Sequence, residues 1–301
     1  MKKKGIIMEI PFRGCATAIV TPMKGGAVDY GCLEGLVDRQ IEAGVSALVP
    51  CGTTGEASTL CREEKRRIIK CTVKSAAGRV PVVAGCASTS TAIAASLAKD
   101  AQEAGAAAVL CLTPYYNRAS EEGVYLHFKE VCESVCVPVI AYNVPKRTGV
   151  CIDTDTYERL CTIENFAGVK EASGNAGYVS RIAWRAGERM AIYSGSDELT
   201  APLYALGASG VISVLSNIVP ERMVELCRLC ETGRVWEAAR AQIALLPLAE
   251  ALFSEVNPIP VKTALAKMGL CTDEMRLPLC KMKPDKAEKL FSVMRDMGLI
   301  G

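Results

Sequence analysis

Short apolar runs rich in β-branched residues alternate along the chain with longer amphipathic stretches. The runs occupy residues 15–20, 46–51, 80–85, 107–112, 137–142, 166–170, 191–194 and 210–214, each bounded by turn-forming residues. They are nearly continuous instead of alternating, the pattern of parallel strands covered on both faces. Between them, residues 30–43, 62–76, 91–104 and 121–134 place charges on one side and aliphatic side chains on the other, as surface helices do. Helix gives way to strand through a glycine at Ala43-Gly44, Ala104-Gly105 and Leu206-Gly207, where glycine suits the left-handed residue past a helix C-terminus.

Eight strand-plus-helix units fall between Arg13 and Gly233, a length that fits a (β/α)8 TIM barrel better than an open doubly wound sheet. The predicted fold is therefore α/β, with a catalytic barrel over residues 1–233. Residues 234–301 read as helices at 235–253, 260–268 and 286–297 separated by proline-bearing turns. This C-terminal helical domain has no low-complexity linker before it and is expected to pack on the barrel.

Composition narrows the function classes. With 50% hydrophobic and 23% charged residues among 301, the chain is globular and not disordered. Its 35 Lys+Arg against 33 Asp+Glu leave a net +2, so no global field recruits nucleic acid or an anionic membrane. The longest nearly apolar stretch, 104–112, is about half of the ~18 residues a spanning helix needs. Residues 1–12 carry three lysines but only Ile6, Ile7 and Met8 before Glu9, too short for a signal peptide, and a cytoplasmic location is expected. The 15 cysteines are odd in number and evenly spread, the usage of reduced thiols. The spacings of Cys132 with Cys136 and of Cys227 with Cys230 put each pair on one helix face, and His127 is the sole histidine, so neither a metal site nor a histidine triad is expected.

In a barrel of this kind, functional groups collect just after the strands, at their C-terminal ends. There the chain carries Gly52-Thr53-Thr54-Gly55-Glu56, then Thr113-Pro114-Tyr115-Tyr116-Asn117, then Tyr142-Asn143 with Arg147 beyond, and finally Lys170. Lys170 closes the apolar run Ala167-Gly168-Val169, which points to an amine partly shielded from water. A lysine of reference pKa ~10.4 is only about 0.1% neutral near pH 7.4, and desolvation lowering it by two to three units, roughly 3–4 kcal/mol, makes a nucleophile. Such an amine suits Schiff-base chemistry on a carbonyl; the alternative is a lysine paired with Glu171. The 52–56 turn could hold a carboxylate through backbone N–H groups and hydroxyls, or be an ordinary strand-to-helix turn. Tyr142 could relay protons or be a half-buried phenol, and Arg147 could clamp a carboxylate or be a solvated loop residue.

Taken together these residues resemble the dihydrodipicolinate synthase (4-hydroxy-tetrahydrodipicolinate synthase) family of the pyruvate-dependent class I aldolase superfamily. The resemblance runs over nearly the whole chain, through Thr17-Ala18-Ile19-Val20-Thr21-Pro22, the 52–56 turn, Tyr142-Asn143-Val144-Pro145, Val169-Lys170-Glu171-Ala172, Gly210-Val211-Ile212-Ser213-Val214 and Asn257-Pro258-Ile259-Pro260-Val261-Lys262. It implies that Lys170 forms a Schiff base with pyruvate, without a cofactor, and that Tyr142 donates and accepts protons in a relay with Thr53 and Tyr116. It implies further that Thr54 and the Ile212 carbonyl hold pyruvate's carboxylate and that Arg147 binds L-aspartate 4-semialdehyde. The product is 4-hydroxy-tetrahydrodipicolinate, on the way to diaminopimelate and lysine. In the family Tyr116 crosses a tight-dimer interface, which implies a homo-oligomer, a homotetramer built as a dimer of dimers. The rivals are an N-acetylneuraminate lyase or keto-deoxy sugar-acid aldolase of the same superfamily, and a catalytically silent metabolite-binding barrel.

The chain departs from lysine-inhibited relatives. Arg62 and Lys65 stand where neutral acceptors would meet the effector, and Ile93 where an acidic residue is often found. Charge repulsion predicts weak or absent feedback by lysine; the alternative is that both cations lie on a solvated helix face beside Glu63 and Glu64.

Overall fold

The structure is a computed structural model that describes residues 10–301. The reading of the N-terminal segment as too short for a signal peptide rests on positions outside the described residues.

Ten strands are formed: β1 Gly14–Thr17, β2 Met23–Lys24, β3 Ala27–Val28, β4 Ala47–Leu48, β5 Val83–Gly85, β6 Ala108–Leu112, β7 Val139–Asn143, β8 Phe166–Glu171, β9 Ala191–Ser194 and β10 Gly210–Ser213. Eight of them make one parallel sheet in the order β4-β1-β10-β9-β8-β7-β6-β5. Its two ends meet through the Leu48–Val82 bridge, where Leu48 N donates to Pro81 O at 3.1 Å and Gly85 N to Pro50 O at 3.0 Å. The sheet is thus a barrel, as predicted, and every apolar run of the sequence contributes one of its strands. The runs overreach the ladders, at 18–20 and 49–51 for example, because continuous hydrophobicity marks burial and not pairing. The β2–β3 hairpin was not predicted; two residues per strand are too few for any period to show.

Helices α1 Tyr30–Glu42, α2 Arg62–Ala76, α3 Thr91–Glu103 and α4 Glu121–Glu133 fall where the amphipathic stretches put them. Asp29 and Ser120 cap α1 and α4 by accepting from Cys32 N and Gly123 N, which satisfies otherwise orphaned first-turn donors. Gly44, Gly105 and Gly207 all have φ near +90°, the left-handed geometry expected of them. The remaining helices are α5 Pro145–Thr148, α6 Thr154–Leu160, α7 Ala176–Ala186, α8 Thr200–Ala205, α9 Pro220–Glu231, α10 Val235–Leu252, α11 Ile259–Lys267 and α12 Pro284–Asp296. None among the described residues is long and apolar enough to cross a membrane.

Two hydrophobic clusters follow from the closed sheet. The inner one fills the bore with Ala16, Ala47, Val83, Ala108, Ile140 and Ile212 beside Tyr142 and Tyr193. Phe12, just ahead of β1, stacks on Tyr193 at 4.2 Å and accepts its hydroxyl proton at the backbone oxygen. The outer cluster lies between strands and helices and takes in Leu245, Leu248, Val261, Leu290 and Met294 from α10, α11 and α12. The C-terminal helices therefore share one apolar core with the barrel's outer layer.

One cysteine reading needs correction. Cys227 and Cys230 do share α9, but Cys136 lies beyond the end of α4, exposed, while Cys132 is buried inside it. The helix ends where Ser134 N and Val135 N donate to the Val131 and Cys132 carbonyls, three residues back instead of four. No group of three or more His, Cys, Asp or Glu side chains among the described residues could hold a metal ion.

Candidate active site

The position of Lys170 is decided by an irregularity in its strand. Along β7 and β8 the register runs Val139 to Phe166 but Ile140 to Gly168, so Ala167 is an extra residue, a β-bulge. Phe166 packs in the outer cluster, Ala167 in the inner one and Val169 again in the outer one. Strict alternation from Ala167 would have turned Lys170 outward; the bulge resets the phase. Lys170 then pairs in register with Tyr142 on one side and Tyr193 on the other. Gly168 makes this possible, since a Cβ there would lie 2.3 Å from the Ala191 carbonyl oxygen.

Lys170 is 6% exposed, with Nζ over the Tyr142 ring, 4.4 Å from its centroid. It is not paired with Glu171, whose carboxylate faces the other side of the sheet and accepts from Asn143 Nδ2 at 2.7 Å and Ser173 N at 2.5 Å. The paired-lysine alternative is thereby removed. Burial raises the Glu171 carboxyl above its ordinary value, with the Ser173 and Asn143 bonds opposing.

Lys170 opens into a cavity of about 570 Å³ lined also by Thr53, Thr54, Tyr142, Arg147 and Asp197. The strand-end rule thus brings four of the expected groups to the amine. Thr54 is buried and its Oγ1 accepts from Asn257 Nδ2 at 2.9 Å; Arg147 is exposed at the rim, with Nη2 3.4 Å from the Asn257 carbonyl oxygen. Ile212 is buried in the bore and does not line the cavity; Val214, two residues on, does. Tyr116 is 89% exposed, at φ +73°, and lines neither this cavity nor the next one. A single chain therefore does not complete the expected relay. Tyr115, its neighbour, reaches the adjoining cavity beside Thr53 and Tyr142.

Three contributors were not singled out from the sequence. Asp197 follows β9 and is fully buried; its Oδ2 accepts from Val214 N and Leu215 N at 2.9 and 3.2 Å, and its Oδ1 has no partner among the described residues. Burial pushes its carboxyl upward against the pull of the Ser213 hydroxyl, those two N–H groups and the Lys170 charge. Gly195 leaves room for the lysine stem, as a Cβ there would sit 3.2 Å from Lys170 Cε and 2.7 Å from Ala172 Cβ. Their place just after β9 is the signal that could have found both. Asn257 had only its place in a motif, because it arrives from the C-terminal helical segment.

The adjoining cavity, about 420 Å³, is lined by Ser58, Lys65, Ser88, Ile93 and Tyr115. Arg62 is not among its lining residues. Its guanidinium is drawn to Asp100 at 2.5 Å and to Ser96 at 2.8 Å, so the expected pair of cations reduces to Lys65. Glu64 cannot compensate Lys65, being held bidentately by Arg276, which keeps its carboxyl down at about 2. Cys51 and Cys86 are core residues at strand ends; burial pushes the Cys51 thiol up to about 12, which leaves it protonated.

The description "Dihydrodipicolinate synthetase family" belongs to the family model that matches residues 11–297. Over 290 residues, 96% of this chain and 100% of the relative, the chain is 47% identical to the 4-hydroxy-tetrahydrodipicolinate synthase of Syntrophus aciditrophicus. Among solved structures it is similar to the dihydrodipicolinate synthase of Aquifex aeolicus, with TM-score 0.94 and 42% identity over 96% of this chain and 99% of that one. It is equally similar to the chloride-inhibited dihydrodipicolinate synthase of Acinetobacter baumannii complexed with pyruvate, with TM-score 0.94 and 43% identity over 96% and 99% of the two chains.

Proposed function

The chain belongs to the dihydrodipicolinate synthetase family, and we propose that it is a 4-hydroxy-tetrahydrodipicolinate synthase joining pyruvate to L-aspartate 4-semialdehyde through a Schiff base on Lys170. The observation that carries this reading is the shielded Lys170 amine, 4.4 Å from the Tyr142 ring centroid, in a cavity that also holds Thr53, Thr54 and Arg147. The Lys170 nitrogen adds to the keto carbon of pyruvate and water leaves, giving an imine. Loss of a methyl proton turns the imine into an enamine, which needs no metal or cofactor because the iminium is itself the electron sink. The enamine carbon attacks the aldehyde and forms the new C–C bond. The amino group of the aldehyde substrate then adds to the imine carbon, closes the ring and expels Lys170.

Tyr142 is the proton carrier for these steps, with the Thr53 hydroxyl beside it. Thr54, fixed by Asn257, and the backbone of its turn take pyruvate's carboxylate. Arg147 at the rim pairs with the carboxylate of the aldehyde. The Tyr116 hydroxyl is supplied by a second copy of the chain, so that the working unit is at least a dimer, with a homotetramer the expected assembly. The barrel of residues 1–233 carries the chemistry and the enzyme acts in the cytoplasm, in lysine and diaminopimelate biosynthesis.

Borohydride reduction with pyruvate, followed by peptide mass mapping, tests the covalent step; a reduced pyruvate adduct on Lys170 is expected, and its absence sinks the reading. Turnover of aspartate semialdehyde against N-acetylmannosamine then separates a synthase from a sugar lyase. Pyruvate bound without any adduct would mark a silent barrel.

A further inference from the structure

Lys262 is a charged residue that the chemistry above does not use, and it is completely buried. It sits in α11 and spends all three ammonium donors: on Glu56 Oε1 at 2.5 Å, on the Thr21 carbonyl at 3.0 Å and on the Glu274 carbonyl at 2.5 Å. Glu56, equally buried, also accepts from Arg276 N at 3.3 Å. Neither Lys262 nor Glu56 lines the cavity.

Glu56 is the last residue of the turn that carries Thr53 and Thr54. Both residues flanking the four central ones, Cys51 and Glu56, are held at φ +56° and +55°, a left-handed geometry that a non-glycine residue keeps only when its surroundings impose it. The same turn is held again where the Thr21 hydroxyl donates to the Gly55 carbonyl at 2.7 Å and where Asn257 donates to Thr54. A buried ion pair adds little stability over well-packed apolar residues, so its presence here calls for another role.

We infer that the Glu56–Lys262 pair is a positioning device by which the C-terminal helical segment fixes the Thr53–Thr54 turn at the spacing pyruvate requires. The inference rests on the reading that this turn binds pyruvate. Lys262 and Glu56 are positioning residues, acting through the turn and touching no substrate. The specific consequence is a split between the two substrates: loosening the pair weakens pyruvate handling, while the Arg147 end of the cavity keeps its affinity for the aldehyde.

The test uses the full chain with Lys262→Met, and with the double change Glu56→Gln/Lys262→Met, which leaves no buried charge orphaned. Assays are run well below each variant's melting temperature. The expected result is a KM for pyruvate raised tenfold or more, and borohydride trapping on Lys170 slowed to match, with the KM for aspartate semialdehyde within twofold of the unchanged enzyme. A folded variant with both KM values and the trapping rate within twofold overturns the inference, as does an equal rise in both KM values. If the single variant does not fold, the double decides in the same terms; if the double fails to fold as well, the pair serves the fold itself and the positioning role falls. Absence of a pyruvate adduct in the unchanged chain would instead overturn the function on which the inference rests.

Discussion

Lys170 and Glu171 are adjacent in β8 yet lie on opposite faces of the barrel wall, the amine over the Tyr142 ring and the carboxylate bonded to Asn143. Strand alternation puts adjacent residues on opposite faces, and the bulge at Ala167 decides that Lys170 is the one that faces inward. The same two strands thus bury Lys170 with Tyr142 inward and Glu171 with Asn143 outward.

Gly168→Ala should damage both stability and chemistry. The new Cβ meets the Ala191 carbonyl 2.3 Å away, so β8 or β9 must shift. Overpacking of this kind costs about 1–3 kcal/mol. A displaced Lys170 should lower the rate of borohydride-trapped adduct by roughly tenfold or more, about 1.4 kcal/mol in barrier. Thermal melting and trapping measured side by side check this; unchanged values in both would show that the bulge does not set the lysine.

Arg147→Ala should act on one substrate alone. Loss of a charge-assisted carboxylate contact, about 1.5–3 kcal/mol, raises the KM for aspartate semialdehyde by roughly 10- to 150-fold. Because Arg147 is at the rim and Lys170 is deep, pyruvate trapping should stay near that of the unchanged enzyme. Steady-state kinetics with each substrate varied in turn decide it, and a pyruvate-specific defect would contradict the assignment.

His127 gives the chain a pH-dependent stability outside the site. Its ring is buried, with Nδ1 3.0 Å from the Thr91 hydroxyl and Nε2 3.4 Å from Cys111 Sγ. Burial holds the imidazole down at about 4 from its ordinary 6.5, opposed only by a backbone bond at Leu112. Between those values the unfolded chain binds a proton that the fold refuses, so stability present above pH 6.5 is lost as pH falls toward 4, by up to about 3 kcal/mol. Denaturant midpoints at several pH values should show this slope flattened in His127→Gln. Equal slopes in the two proteins would refute it.

L-lysine should inhibit weakly or not at all. Its ammonium would meet Lys65 in the adjoining cavity, where Ile93 offers no carboxylate and Glu64 is taken up by Arg276. Inhibition titrations check this, and an inhibition constant in the micromolar range would falsify it.

Sequence by itself determined the eight strands of the barrel, most helix ends and the residues at the strand termini. Those features follow from neighbouring positions: apolar runs at 107–112 or 191–194, the caps Asp29 and Ser120, and the glycines at 44, 105 and 207 act within a few residues of chain. The placement of Lys170, Thr53, Thr54, Tyr142 and Arg147 at one end of a barrel was legible for that reason. Tertiary structure alone decided where charges and phases end up. The bulge in β8 exists only against β7, Arg62 is drawn to Asp100 across a helix interface, and Lys262 finds Glu56 206 positions away. These outcomes depend on which groups closure of the barrel brings within hydrogen-bond reach, and no local period along the chain encodes that.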